Sequence, residues 1–135
     1  MQADRVTIFT DGAAQNNPGP AAIGAVVKDE RDKTIARISQ AIGHATNNQA
    51  EYRAVIAALE EAIRLGAKHI RLNSDSELVV RHLEGRYRVK NAALKPLYQQ
   101  VKQLQSRLES FTVNHIPREQ NTEADGLANA ALKPT

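Results

Sequence analysis

Cysteine and tryptophan are absent from this 135-residue chain, methionine occurs once, and aromatic residues make up only 4% of it. Without cysteine there can be no disulfide framework, no thiolate metal site and no cysteine nucleophile. Long apolar runs are missing as well. The longest, residues 21–27, falls far short of the roughly 20 residues that a membrane-spanning helix needs. The opening Met1-Gln2-Ala3-Asp4-Arg5-Val6 has neither the charged n-region nor the apolar h-region of a secretory leader, so a cytoplasmic protein is expected. His44, His69, His82 and His115 show no metal-ligand spacing, which argues against zinc. What is present suffices for an ordinary core. A hydrophobic content of 41% with no internal repeat points to one globular domain over residues 1–135.

Against that background four carboxylates stand out. Asp11 closes the alternating run Val6-Thr7-Ile8-Phe9-Thr10 and is followed by Gly12, the signature of a strand running into a turn. Residues 69–75 repeat the pattern, with Ile70 and Leu72 facing one way and Asp75 where the strand stops. Ligands collect at such strand ends in open α/β sheets. Glu51 belongs instead to a helix near 48–65, where Val55, Ala58, Leu59 and Ala62 follow it on one apolar stripe. A carboxylate on a core-facing stripe is costly unless it is paired, hydrogen-bonded or bound to metal. Asp125 lies in the first turn of a last helix whose buried face is Ala124, Leu127, Ala128 and Ala131. Each acid also has a plainer reading: Thr122 with Asp125 fits a capping box, Asn48 with Glu51 resembles one, and Asp75 suits the cap of the helix after it. Taken together, the four suggest a site for hard divalent ions, Mg²⁺ or Mn²⁺, which prefer carboxylate and water oxygens.

Strands are expected near 4–10, 21–28, 33–42, 69–74 and 111–116, and helices near 48–65, 76–84, 96–109 and 122–132. The short polar stretch Asp29 to Lys33 predicts a hairpin between strands two and three, and the long helix before strand four permits a parallel crossover. The fold class is therefore mixed α/β. Pro96 suits the first turn of the helix that puts Leu97, Tyr98, Val101, Leu104 and Leu108 on one side.

The net charge of +3 hides an asymmetry, since residues 81–107 hold seven Lys or Arg and a single acid, Glu84. Within them Arg86-Tyr87-Arg88-Val89-Lys90 mixes bases with an aromatic, as a surface following a phosphate backbone would. Alone it also fits an ordinary solvated basic face. Beside four acids, it separates holding a polyanion from cutting it.

At this point the residues resemble a known family. Thr10-Asp11-Gly12-Ala13-Ala14-Gln15-Asn16-Asn17-Pro18-Gly19-Pro20 is similar to the opening motif of type 1 ribonuclease H. Ala45-Thr46-Asn47-Asn48-Gln49-Ala50-Glu51 resembles the segment around that family's helical glutamate, Asn73-Ser74-Asp75-Ser76 its second strand-end aspartate, and Asn121-Thr122-Glu123-Ala124-Asp125 its last one. Four ordered motifs, each with the expected acid, carry far more weight than any one tripeptide. The resemblance implies a five-stranded mixed sheet flanked by helices and hydrolysis of the RNA strand of an RNA/DNA hybrid, with double-stranded RNA as a side substrate to be tested. It implies Asp11, Glu51, Asp75 and Asp125 as ligands of two Mg²⁺ ions roughly 3.5–4 Å apart, one activating water and one stabilising the departing 3′ oxygen. The products would carry 5′-phosphate and 3′-hydroxyl ends. It further implies that Gly12 and Ala13 let the backbone approach the RNA, that Asn47 and Asn48 donate to sugars and base edges, and that Asn17 with Thr46 holds a DNA phosphate. The 2′-hydroxyl is what tells RNA from DNA at such a surface. For Asn47 and Asn48 helix capping is the competing role, and Asn17-Pro18-Gly19-Pro20 also reads as a rigid turn.

In the family a mobile histidine in the loop before the last helix aids proton transfer or product release. Here His115 matches by counting back from Asp125, but it follows directly on a strand. Arg118 lies further into the loop and is slightly preferred, its permanent charge suiting a phosphate. The chain departs from the best-known bacterial pattern in two places: a short Gly85-to-Lys95 connection replaces a longer basic protrusion, which puts affinity and processivity in question, and Glu77, whose role is left open, stands where a substrate-contacting glutamine is common. Two other classes remain open, a non-catalytic module binding hybrid or double-stranded RNA, and a DNA-cutting nuclease of the same fold. A monomer with no obligate protein partner is expected.

Overall fold

A computed structural model describes residues 3–132. The elements in chain order are β1 (Arg5–Ala14), β2 (Gly19–Lys28), β3 (Thr34–Ala45), α1 (Asn47–Arg64), β4 (His69–Ser74), α2 (Glu77–Leu83), α3 (Lys95–Gln105), β5 (Ser110–His115) and α4 (Thr122–Leu132), with a 3₁₀ turn at Arg118–Gln120. The strands form one mixed sheet in the order β3-β2-β1-β4-β5. β1, β2 and β3 pair antiparallel, and β4 runs parallel to both β1 and β5. The β2–β3 hairpin forms as expected. Asp29 organises its turn by accepting the N–H groups of Arg31 and Lys33.

β2 is buried at nearly every position from Gly19 to Val27, which explains why its sequence is continuously small and apolar rather than alternating. Both of its faces are covered. Gly24 of β2 and Gly12 of the adjoining β1 show how the sheet is covered: a Cβ on Gly12 would lie 2.3 Å from the backbone of Ala50 in α1, and one on Gly24 would lie 2.1 Å from the Ala124 carbonyl oxygen in α4. Gly24 is the register partner of Asp11, so adjacent β1 positions face opposite sides of the sheet. α1 therefore packs on the Gly12 side and α4 on the Asp11 side. The main core lies under α1, where Val6, Ile8, Ile70 and Leu72 meet Tyr52, Val55 and Leu59 together with Val79 and Val101 from the neighbouring helices. Each such large side chain contributes about 1.5–3 kcal/mol by leaving water. Inside this layer the Tyr52 hydroxyl and His82 Nδ1 lie 2.7 Å apart and tie α1 to α2. Burial lowers the pKa of His82.

Several boundaries differ from the sequence expectation, and three of them are instructive. β1 continues past Thr10 to Ala14 because β2 goes on pairing with it, whereas its parallel pairing with β4 stops at Thr10 opposite Ser74. Asp11 thus stands not at the end of its own strand but just beyond the end of its neighbour. α1 begins one residue earlier than expected, capped by Thr46. α3 ends at Gln105 because the chain then turns to meet β4, with the Glu109 N–H donating to the Lys68 carbonyl at 2.7 Å.

Candidate active site

Where β4 stops, β1 is left with unpaired backbone groups on that side, and side chains from α1 take them up. The Glu51 carboxylate accepts the Gly12 N–H, and Asn47 Oδ1 accepts the Ala14 N–H at 2.8 Å. They lie four residues apart on α1 and so share one face of its first turns. This brings Glu51 to the mouth of the sheet, where carboxylate oxygens of Asp11, Glu51 and Asp75 fall within 4.8 Å of one another. Asp125 lies outside that triplet but lines the same cleft of about 660 Å³ and shares a hydrogen bond with Asp11.

The plainer readings of these acids do not hold. The box at the start of α1 is made by Thr46 and Gln49, whose side chain and backbone bond reciprocally at 3.1 and 2.8 Å, and not by Asn48 with Glu51. Ser76, not Asp75, caps α2 by accepting the Val79 N–H. Thr122 is already inside α4, and the Asp125 N–H bonds the Asn121 carbonyl as an ordinary helical residue. No capping role therefore accounts for the three carboxylates together.

The electrostatics follow from burial and mutual repulsion. Asp11, only 6% exposed, has its carboxyl pushed from an ordinary value near 3.8 up to about 8. Burial is the largest cause, followed by the hydrogen bond with Asp125 and the charges of Asp75 and Asp125, with Arg118 pulling the other way. Glu51 as a residue is half-buried. Its carboxyl, however, is enclosed by protein and is pushed well above the carboxylate range by burial and by Asp11 and Asp75, against the pull of the Gly12 N–H. Proximity of like charges raises the cost of ionising each. An all-oxygen donor set with too little local positive charge fits a hard divalent cation.

A family model described as reverse transcriptase-like matches residues 9–131. A bifunctional protein of Mycobacterium tuberculosis is 46% identical over 95% of this chain, which covers 35% of that protein. Its N-terminal ribonuclease H domain, solved as a fusion with maltose-binding protein, superposes with a TM-score of 0.93 at 45% identity, over 96% of this chain and 99% of that one. Ribonuclease HI of Halobacterium salinarum is 41% identical over 95% of this chain and 64% of its own length. This chain belongs to the type 1 ribonuclease H family. LC11-RNase H1, isolated from compost, has been solved in complex with an RNA/DNA hybrid and matches with a TM-score of 0.90 at 41% identity, over 95% of this chain and 96% of that one. The present chain spans about a third of the length of the mycobacterial relative and 64% of the halobacterial one.

The ribonuclease H resemblance singled out further residues, which the structure distributes around the cleft. Gly12, Ala13, Asn47 and Asn48 line it on the α1 side, and Arg118 lines it on the α4 side. The close approach that requires glycine at position 12 is made by α1 and not by an outside ligand. Asn47 and Asn48 do not cap α1, since Thr46 does. Asn17 and Thr46 meet in a smaller hollow beside the cleft, together with Asn48 and Asn91. Asn17 Oδ1 accepts the Asn47 N–H at 2.8 Å there, which joins the hollow to the cleft. His115 ends β5 opposite Ser74 and is exposed, and it is not among the cleft-lining residues. Arg86, Arg88 and Lys90 project from the loop after α2, and all three are exposed, with Val89 between them packed against the core. They lie outside the cleft lining. Glu77 sits in the first turn of α2, 3.7 Å from Arg81. Three cleft residues, Ala14, Ser76 and Asn129, were given no role from the sequence. Asn129 lies one helical turn beyond Asp125, a spacing that could have pointed to it.

Proposed function

We propose that this chain is an endoribonuclease that hydrolyses the RNA strand of RNA/DNA hybrids and leaves 5′-phosphate and 3′-hydroxyl ends. The observation that carries the reading is the convergence of Asp11, Glu51 and Asp75, with Asp125 beside them, in an open cleft and without capping partners. Family membership and the hybrid complex of LC11-RNase H1 support the substrate. The four acids would hold two Mg²⁺ ions, with Mn²⁺ as a substitute. When bound, these ions supply Lewis acidity at the scissile phosphate and ease deprotonation of the attacking water.

The remaining work belongs to the protein's own groups. Asp11 and Glu51 are costly to ionise in the metal-free cleft, and the Gly12 N–H holds Glu51 in the donor set. Arg118 offers a permanent positive charge to the phosphate from the α4 side, which makes it a better turnover residue than His115. Gly12, Ala13, Asn47 and Asn48 face the minor groove, Asn17 and Thr46 bind a DNA phosphate, and Arg86, Arg88 and Lys90 follow the backbone farther out. Residues 1–135 act as one catalytic unit, a cytoplasmic monomer with no obligate protein partner. Among the described residues no helix is long and apolar enough to cross a membrane.

The deciding experiment is a gel assay with end-labelled hybrid, double-stranded RNA and duplex DNA, each with Mg²⁺, Mn²⁺ or EDTA. Metal-dependent cutting of RNA, strongest on the hybrid, is expected. Binding without cleavage under either metal would favour the non-catalytic module, and cleavage of duplex DNA would favour the DNA nuclease.

A further inference from the structure

Alternate residues of a strand turn their N–H and C=O groups to opposite edges, so Thr10, Gly12 and Ala14 all face the side that β4 vacates. Glu51 and Asn47 serve the last two. The first is served from across the chain: Asn121 Nδ2 donates to the Thr10 carbonyl at 2.9 Å, from 111 positions away in the sequence. Asn121 is 1% exposed and stands immediately before α4. Its N–H donates to the Arg118 carbonyl at 2.9 Å, and its own carbonyl accepts the Asp125 N–H at 3.1 Å. One residue thus joins the strand that carries Asp11, the turn that carries Arg118 and the helix that carries Asp125.

The side chain does this at a cost. Asn121 Oδ1 is buried without a hydrogen-bond partner among the described residues. The amide cannot be turned over to relieve it, because that would set one carbonyl oxygen against another. A buried unpaired acceptor destabilises a fold, so packing alone does not explain an amide at this position.

We propose that Asn121 is a positioning residue for the ribonuclease reaction, which holds Asp125 and Arg118 in register with Asp11 through the Thr10 carbonyl. The inference rests on the ribonuclease reading above, but its central test does not need cleavage. Mn²⁺ binding to the full chain without nucleic acid is measured by calorimetry for the wild type, Asn121→Ala, Asp125→Ala and the double variant. Residues that orient metal ligands typically change affinity or activity by about 10–100-fold. Asn121→Ala is therefore expected to weaken Mn²⁺ binding by about tenfold and to add nothing once Asp125→Ala has removed the carboxylate being positioned. On hybrid, kcat should fall by a comparable factor while KM stays within about twofold of the wild type. If Asn121→Ala does not fold, Asn121→Ser carries the same measurements. Unchanged Mn²⁺ affinity and kcat in a folded variant would overturn the proposal, as would effects of Asn121→Ala and Asp125→Ala that simply multiply. A wild type that cuts no hybrid would sink the ribonuclease reading and leave the coupling between Asn121 and Asp125 standing on its own result.

Discussion

The two ends of the sheet each carry a cluster of acids, and they differ in what surrounds them. At the amino ends of β1 and β4 a hollow of about 460 Å³ contains Asp29, Glu30 and Asp32, but Arg5, His69 and Arg71 line it too. The acids there are exposed or half-exposed. Asp29 is occupied with the hairpin turn, and Asp32 lies 3.8 Å from Lys28. At the other end Asp11 is almost fully buried, and of the cleft-lining residues only Arg118 is basic. Acid count and cavity size, three against four and about 460 against 660 Å³, are less telling than the charges around them. What separates them is that one set of charges is compensated within the protein and the other calls for something from outside. The uncompensated end is also where β4 stops short and leaves β1 open.

The comparison breaks most sharply under paired amide substitutions. Asp11→Asn should lower hybrid cleavage by at least about 10³-fold, while hybrid binding in Ca²⁺ and the fold are kept, because it removes a ligand made for charge development in the transition state. Asp29→Asn at the other end keeps a side-chain oxygen for its turn and should change the rate by less than about twofold, as surface substitutions usually do. An active Asp11→Asn protein would remove the reason for distinguishing the two ends.

A smaller effect tests whether charge outside the cleft does a different job from charge within it. Changing Arg86, Arg88 and Lys90 together to Glu should weaken hybrid binding by about 10-fold or more and reduce the slope of log affinity against log salt by about 3. The cleavage position should not move. Unchanged affinity would assign the backbone contacts to another surface. Within the cleft, Arg118→Ala should slow turnover by about 10-fold, as expected for a charge that meets the phosphate. His115→Ala should cost less than about twofold, since that side chain lies away from the acids. A reversal of this order would return the role to His115.

What could be read beforehand was what depends on neighbours in sequence. Glu51 stands out because Val55 and Leu59 continue its stripe, and Asp75 because a short alternating strand ends there. That they belong to one site with Asp11 was inferred from their shared placement at strand ends and on a buried stripe, and the family resemblance strengthened it, since strand order is not written in local pattern. Gly12 misled for a physical reason. Glycine after an alternating run is a turn signal, but here the strand continues and the glycine is needed because α1 lies against it. The capping alternatives stayed open beforehand because several polar residues in a row can all cap, and only the backbone selects Thr46 over Asn48 and Ser76 over Asp75. Asn121 opened the last of the four motifs, but nothing local pointed to what its side chain meets. Its partner, Thr10, lies at the far end of the chain.

The finest distinction between the two ends is thermodynamic. Asp11 binds a proton up to about pH 8 in the metal-free fold but only to about pH 4 when unfolded. Between those values the folded state holds the extra proton, so stability falls as pH rises through that window. Glu51 shifts in the same direction. Protein treated with EDTA should therefore melt several degrees lower at pH 8 than at pH 5, on a scale of about 2–8 °C per kcal/mol. Mg²⁺ or Mn²⁺ at pH 8 should recover the loss, because an ion that binds only the folded state stabilises it. Asp11→Asn should flatten the metal-free pH dependence and raise the melting temperature at pH 8, whereas Asp29→Asn should leave both curves where they were. A wild-type melting temperature that climbs from pH 5 to pH 8 without metal would mean that the carboxylates are compensated after all.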